Sequence, residues 1–195
     1  MNKISKGEYG YVDCQRKRVF LRTLLLYACA LSIYFTAYYT LHTVKNIWTV
    51  ISVLGILPAS KSLVNLIMFM RFRSLDSSVY EQYKDAFRDL CAIYEIPFTT
   101  YEKTYFTEAV VCRNNTVAGY CGPSGRREDN KVSADALAGH LETVLVNGGF
   151  DACTVKIFDD RQEFLKRAGR MRENLEPKEP ERDRAILDCL LSVGL

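Results

Sequence analysis

Three residues in the carboxyl-terminal part of the sequence have the types that nucleophilic catalysis uses: the thiol of Cys121, the imidazole of His140 and the carboxylate of Glu108. A thiolate attacks, an imidazole takes up its proton and a carboxylate orients the imidazole, so the trio would suit a Cys-dependent hydrolase or transferase. Spacing brings two of them together. Asn114-Asn115 tolerates the left-handed conformation of a two-residue hairpin turn between the runs 107–112 and 116–121. With that turn, Glu108 pairs with Cys121, Val110 with Gly119 and Cys112 with Val117, all on one face. His140 comes from another segment, beside Leu141 on a helical pattern, where a histidine is more often a boundary residue with a satisfied ring. Catalysis is therefore the minor reading.

Other enzyme signatures are missing from the sequence. The seven cysteines, at 14, 29, 91, 112, 121, 153 and 189, contain no CxxC and read mostly as small apolar core residues, so no metal centre or cofactor is expected. The glycines at 119, 122 and 125 lack the GK[ST] ending of a phosphate-binding loop. A magnesium-dependent nuclease would need a second acid or a Lys near Glu108, and residues 116–121 (TVAGYC) supply neither. A basic cluster at Lys166, Arg167 and Arg170, flanked by Arg161 and Arg172, could meet anionic headgroups or nucleic acid. Glu163 lies four residues before Arg167, however, which favours a solvated, salt-bridged helix face.

The elements that must position these residues are legible in outline. Ser78-Val79-Tyr80-Glu81 has the form of a capping box, and Tyr80, Tyr83, Phe87, Leu90, Cys91 and Tyr94 then recur at helical spacing up to Pro97. Two strands follow around Asn114-Asn115, then a polar loop, 122–131. A helix begins at Ser133, carries Leu137, Leu141, Val144 and Leu145 on one face and stops at Gly148-Gly149. Residues 152–158 read as a third strand, and Asp160 caps a helix bearing Phe164, Leu165, Ala168, Met171 and Leu175. After a polar hinge, Pro180 can start a last helix with Ile186, Leu187, Leu190 and Leu191 inward. A small α/β (α+β) sandwich of about three strands, over 79–195, is the simplest architecture.

The amino-terminal part is of another kind. Residues 23–44 contain nothing ionised at neutral pH, and 22 helical residues cover the ~30 Å hydrocarbon core of a bilayer. Residues 47–70 form a second apolar stretch, interrupted only by Lys61. The two read as a transmembrane α-helical hairpin over 23–70, between a basic amino terminus (1–22) and a linker (71–78). Basic residues 16–18 and 22 precede the first stretch and Arg71 and Arg73 follow the second, which places both termini in the cytosol of a multi-pass plasma-membrane protein. Lys61 then lies roughly 13 Å inside the cytosolic boundary. A lysine so placed is a candidate for ion passage or partner pairing; the alternative is that Gly55 and Pro58 break the helix and admit water or headgroups.

Charge follows the same division. The first 70 residues hold eight basic and two acidic side chains and the remainder 18 and 21, so the net +3 and mean hydropathy of −0.08 average two unlike parts. Most of the positive excess flanks the apolar stretches, which leaves no strong signal for nucleic acid. The stretch 53–70 (VLGILPASKSLVNLIMFM), after a basic terminus and a first span, resembles small, uncharacterised two-span bacterial integral membrane proteins. That resemblance covers about the first 75 residues; it implies membrane insertion and carries no activity. The sequence thus describes a bilayer-embedded protein whose cytosolic module serves protein interaction or regulation, its partner a protein or a second copy met through the hairpin. The alternatives are the anchored Cys-dependent enzyme and an oligomeric transport component using Lys61.

Overall fold

At Asn114 and Asn115 the backbone φ angles are 47° and 62°, the left-handed pair that a tight hairpin turn requires, and the strands on either side pair in the register expected from that turn. The computed structural model describes residues 4–41, 47–100, 104–122, 134–173 and 179–194. The chain divides into two units, Val12–Phe72 and the combination of Met1–Tyr11 with Arg73–Leu195.

The first unit contains two long helices, α1 (Tyr11–Leu41) and α2 (Ile47–Arg71). Helix α1 starts well before the uncharged run: its first turns are polar helix formers, with Arg16 bonded to Asp13 at 2.8 Å. The helices pack antiparallel through a narrow seam of small residues. Thr23, Ala30 and Ala37 are buried on α1, and Ser52, Ala59, Ser62, Leu66 and Phe69 on α2, spacings of three, four and seven that follow a left-handed coiled seam. The Thr23 and Ser62 hydroxyls lie 2.7 Å apart, and the Ser52 hydroxyl donates to the Ala30 carbonyl at 2.7 Å. A Cβ on Gly55 would stand 3.7 Å from that of Ala30, the close approach that small residues permit. Contrary to the broken-helix alternative, α2 runs unbroken through Gly55 and Pro58.

The second unit is a four-stranded mixed sheet between two pairs of helices. Its elements are α3 (Ser77–Ala86), β1 (Cys91–Thr99), β2 (Thr104–Arg113), β3 (Thr116–Tyr120), α4 (Ala134–Asn147), β4 (Thr154–Phe158), α5 (Arg161–Glu173) and α6 (Pro180–Val193). Strand order is β1-β2-β3-β4, antiparallel except for the parallel pair β3/β4 joined through α4. One core lies between the sheet and α4 with α6, around Leu137, Leu141, Leu145, Ile186 and Leu190. The other lies between the sheet and α3 with α5, around Tyr83, Phe87, Phe164 and Ala168.

The carboxyl-terminal elements follow their local signals. At the end of α4 the Phe150 N–H reaches the Leu145 carbonyl and the Gly149 N–H that of Val146, with Gly149 at φ 86°. This is the double closure for which a glycine after a helix is suited. Asp160 caps α5 through the Gln162 N–H at 3.2 Å, and Pro180 occupies the first turn of α6. Ser133 and Leu175 lie outside the described residues.

The expected long helix from Ser78 to Tyr94 is corrected. Helix α3 begins one residue earlier, behind Asp76, whose carbonyl accepts the Val79 and Tyr80 N–H groups, so Ser78 is no cap; the helix ends at Ala86. Residues 91–99 form β1, a fourth strand where about three were expected. The apolar spacing misled because Tyr83 and Phe87 on the helix side and Tyr94 on the strand all reach the same core. Pro97 is tolerated because β1 is an edge strand.

Strand β1 also changes face midway. Ile93 and Ile96 both enter the α4/α6 core although they are three residues apart, and Glu95 between them has φ 54°. Pairing with β2 keeps one register on both sides, Tyr94 with Ala109 and Ile96 with Thr107, so Glu95 and Glu108 stand opposite each other where alternation slips.

The segment before α1 is stitched onto this unit. The Gly7 carbonyl accepts the Tyr94 N–H at 2.8 Å, the Tyr9 ring stacks on Tyr80 at 4.2 Å, and the Lys6 ammonium caps the end of α6 at the Gly194 carbonyl, 2.7 Å away. The chain leaves this unit for the helix pair and returns to it at Arg73.

Candidate functional site

Two of the three residues of the catalytic reading do meet. Glu108 and Cys121 lie at the end of the sheet where the parallel strands β3 and β4 finish, the edge at which open α/β sheets present ligands. The Cys121 N–H continues the ladder to the Phe158 carbonyl, and Asp159 follows at once. Gly122 leaves room for the Glu108 carboxylate, which a Cβ at that position would overlap.

The surroundings of the thiol work against nucleophilic use. Burial, then the charges of Asp159 and Glu108, push the Cys121 thiol up to about 12. It borders a cavity of only about 20 Å³, together with Tyr105, Phe106, Ala134 and Leu137. His140 does not line that cavity; it is two turns of α4 beyond Ala134, half-buried, and its Nε2 has no hydrogen-bond partner among the described residues. The expected consequence is slow alkylation of Cys121. At pH 8 it should react with iodoacetamide at least ~100-fold more slowly than a free thiol and gain about tenfold per pH unit up to pH 11, followed residue by residue by mass spectrometry. A plateau below pH 9 would show a thiolate already formed and restore the catalytic reading.

Glu108 is instead tied to the packing of α3. Its carboxylate accepts the Tyr83 hydroxyl at 3.2 Å, and burial, with the Glu108 charge next, moves the Tyr83 phenol far above its usual range. The Arg161 guanidinium covers the Tyr83 ring at 4.9 Å and donates to Gln82 at 3.1 Å. Opposite it, the fully buried Glu95 carboxylate accepts the Ser74 hydroxyl at 2.5 Å and the Leu75 N–H at 2.9 Å. Glu95 escaped the sequence reading because it was placed on a helix; a lone acid inside the apolar run CAIYEIPFT was its signal.

Two further cysteines, Cys91 and Cys112, belong to the sheet. They are register partners in β1 and β2, and burial raises both thiols. Among the described residues, no group of three or more His, Cys, Asp or Glu side chains has the arrangement of a metal site.

The basic cluster is divided by the fold. Lys166 is exposed, whereas Arg167 and Arg170, one turn apart on α5, line an open cleft of about 410 Å³ with Arg113 of β2. Asn114 and Thr116 of the hairpin turn and Glu173 complete its polar wall. Arg113 is 5% exposed and donates one N–H to the Arg172 carbonyl at 2.8 Å. The salt-bridged face expected from Glu163 does not form, for no ion pair joins Glu163 to Arg167 among the described residues; the Arg167 Nε is buried without a hydrogen-bond partner. Arg113 carried no local signal, because only the hairpin register and the packing of α5 bring it to the other two.

Lys61 is exposed on α2, beside the Ser62–Thr23 contact. The antiparallel register therefore sets it about level with Arg22, at the basic end of the helix pair. Comparison of the chain with protein-family models, with curated proteins and with solved structures finds no match.

Proposed function

We propose that this is a two-span integral membrane protein of the bacterial plasma membrane, whose hairpin holds an α/β interaction or regulatory module at the cytosolic face. The observation that carries the reading is the outer surface of α1 and α2. Apart from the small-residue seam, it exposes large apolar side chains all round, Leu24, Leu25, Leu31 and Phe35 on one helix and Ile51, Leu54, Leu57 and Val64 on the other. Each helix is long and apolar enough to cross a bilayer, and water would not tolerate so large a patch uncovered.

The charge pattern and the chain path support both termini on one side. Basic residues flank the helices at the end where Thr23 meets Ser62, and residues 4–11 belong to the same unit as residues 73–194. In this orientation Lys61 needs no intramembrane partner: the register puts it within about two residues, ~3 Å, of the level of Arg22, within reach of headgroups. A Cys121 thiol pushed up by burial, beside a small cavity that His140 does not line, suits interaction or regulation better than Cys-dependent hydrolysis.

Alkaline carbonate extraction and topology fusions test this. The full chain should stay in the pellet, and alkaline phosphatase should be active when inserted after Lys45 and inactive when fused after Leu195. Release by carbonate, or the reversed fusion pattern, would refute the proposal.

A further inference from the structure

We infer that the cleft between β2 and α5 binds a phosphate-bearing ligand, a phosphomonoester or pyrophosphate group held by Arg113, Arg167 and Arg170. Its volume of about 410 Å³ falls within the range of small-molecule sites. Three guanidiniums from two different elements converge on it, and one of them is almost wholly buried. Like charges gathered at one cleft repel each other until an anion joins them, and planar guanidiniums bind phosphate through paired N–H groups.

The ordinary uses of arginine at this place do not cover the arrangement. A helix dipole favours cations in the last turn, which accounts for Arg170 and Arg172. It does not account for Arg167, an earlier residue whose Nε is buried in the wall with no hydrogen-bond partner. Among the described residues that line the cleft, three guanidiniums stand against the single carboxylate of Glu173, a lining that suits an anion. Asn114 and Thr116 add an amide and a hydroxyl that can donate to further phosphate oxygens. The inference concerns the α/β unit and stands whether or not α1 and α2 span a bilayer.

Two sources present the same chemistry, a free phosphorylated metabolite and the headgroup of phosphatidate, and one experiment separates them. The full chain, in a neutral maltoside detergent, is titrated with inorganic pyrophosphate by calorimetry; in phosphatidylcholine nanodiscs it is compared with and without phosphatidate by the shift in its unfolding temperature. Saturable pyrophosphate binding that weakens at least ~10-fold in Arg167→Gln/Arg170→Gln and survives in Lys166→Gln supports a free ligand. No response to pyrophosphate, with an Arg167- and Arg170-dependent shift from phosphatidate, supports the headgroup. Arg170→Glu, altered only at an exposed position, repeats the test should the double variant fail to fold. Absence of both responses, or an equal loss in Lys166→Gln, overturns the inference.

Discussion

Glu95→Ala is expected to destabilise the α/β unit by roughly 3 kcal/mol, since hydrogen bonds to a buried charged group contribute ~1.5–3 kcal/mol each and a stranded donor costs more than the bond it loses. The carboxylate is fully buried and accepts both the Ser74 hydroxyl and the Leu75 N–H, the segment that leads the chain out of α2. Alanine would leave the Leu75 N–H without that acceptor, and the segment would lose its attachment to β1. The backbone supplies a second handle. Glu95 sits at φ 54°, where a side chain costs on the order of 1 kcal/mol that glycine does not incur. Glu95→Gly should therefore lose about 1 kcal/mol less than Glu95→Ala, and Glu95→Gln, which keeps an acceptor oxygen, the least of the three. Thermal unfolding of the full chain in detergent, followed by near-ultraviolet circular dichroism, gives the order. If Glu95→Gln proved as damaging as Glu95→Ala, the acceptor role would be wrong.

Phe164→Ala should be costlier still, about 3–5 kcal/mol, the range for removing a fully buried aromatic side chain. Its ring is the centre of the α3/α5 core, with the rings of Phe87 at 5.5 Å, Tyr120 at 6.0 Å and Tyr83 and Phe158 at 6.2 Å. Four rings packed around a vacated site cannot all move in to fill it, so most of the cavity persists. Phe164→Leu retains part of the volume and should cost under ~2 kcal/mol. The half-buried neighbour Leu165 provides the control: Leu165→Ala should cost about 1 kcal/mol, and parity between the two alanine variants would show that the core is not organised around Phe164.

Where the sequence reading succeeded, the signal was local. The Asn114-Asn115 turn fixed the β2/β3 register because two adjacent residues had to accept positive φ. Helices α4, α5 and α6 matched because glycine after the end, aspartate before the start and proline in the first turn each act within one helical turn. Where it failed, a periodic pattern had two solutions. Tyr80 to Tyr94 satisfies helical spacing, yet β1 gains an edge of β2 to pair with, and such pairing is invisible in a segment read by itself.

The candidate sites show the same division. Glu108 and Cys121 were joined correctly from turn geometry, but the charge state of Cys121 depends on Asp159 and on burial, which come from β4 and the core. Counting along α2 gives Lys61 only a distance to the end of its own helix; the Thr23–Ser62 contact adds its level relative to α1.

By itself the sequence determined that this chain has two long apolar helices with basic flanks, a hairpin at 114–115 and three amphipathic helices near its carboxyl end, since each follows from residue type within a turn or two. Only the tertiary structure decided that residues 91–99 are a strand, that Arg113 joins Arg167 and Arg170, and which helix face carries Lys61. Those outcomes depend on contacts between residues as far as 59 positions apart, and the energy of such a contact exists only when both partners are folded.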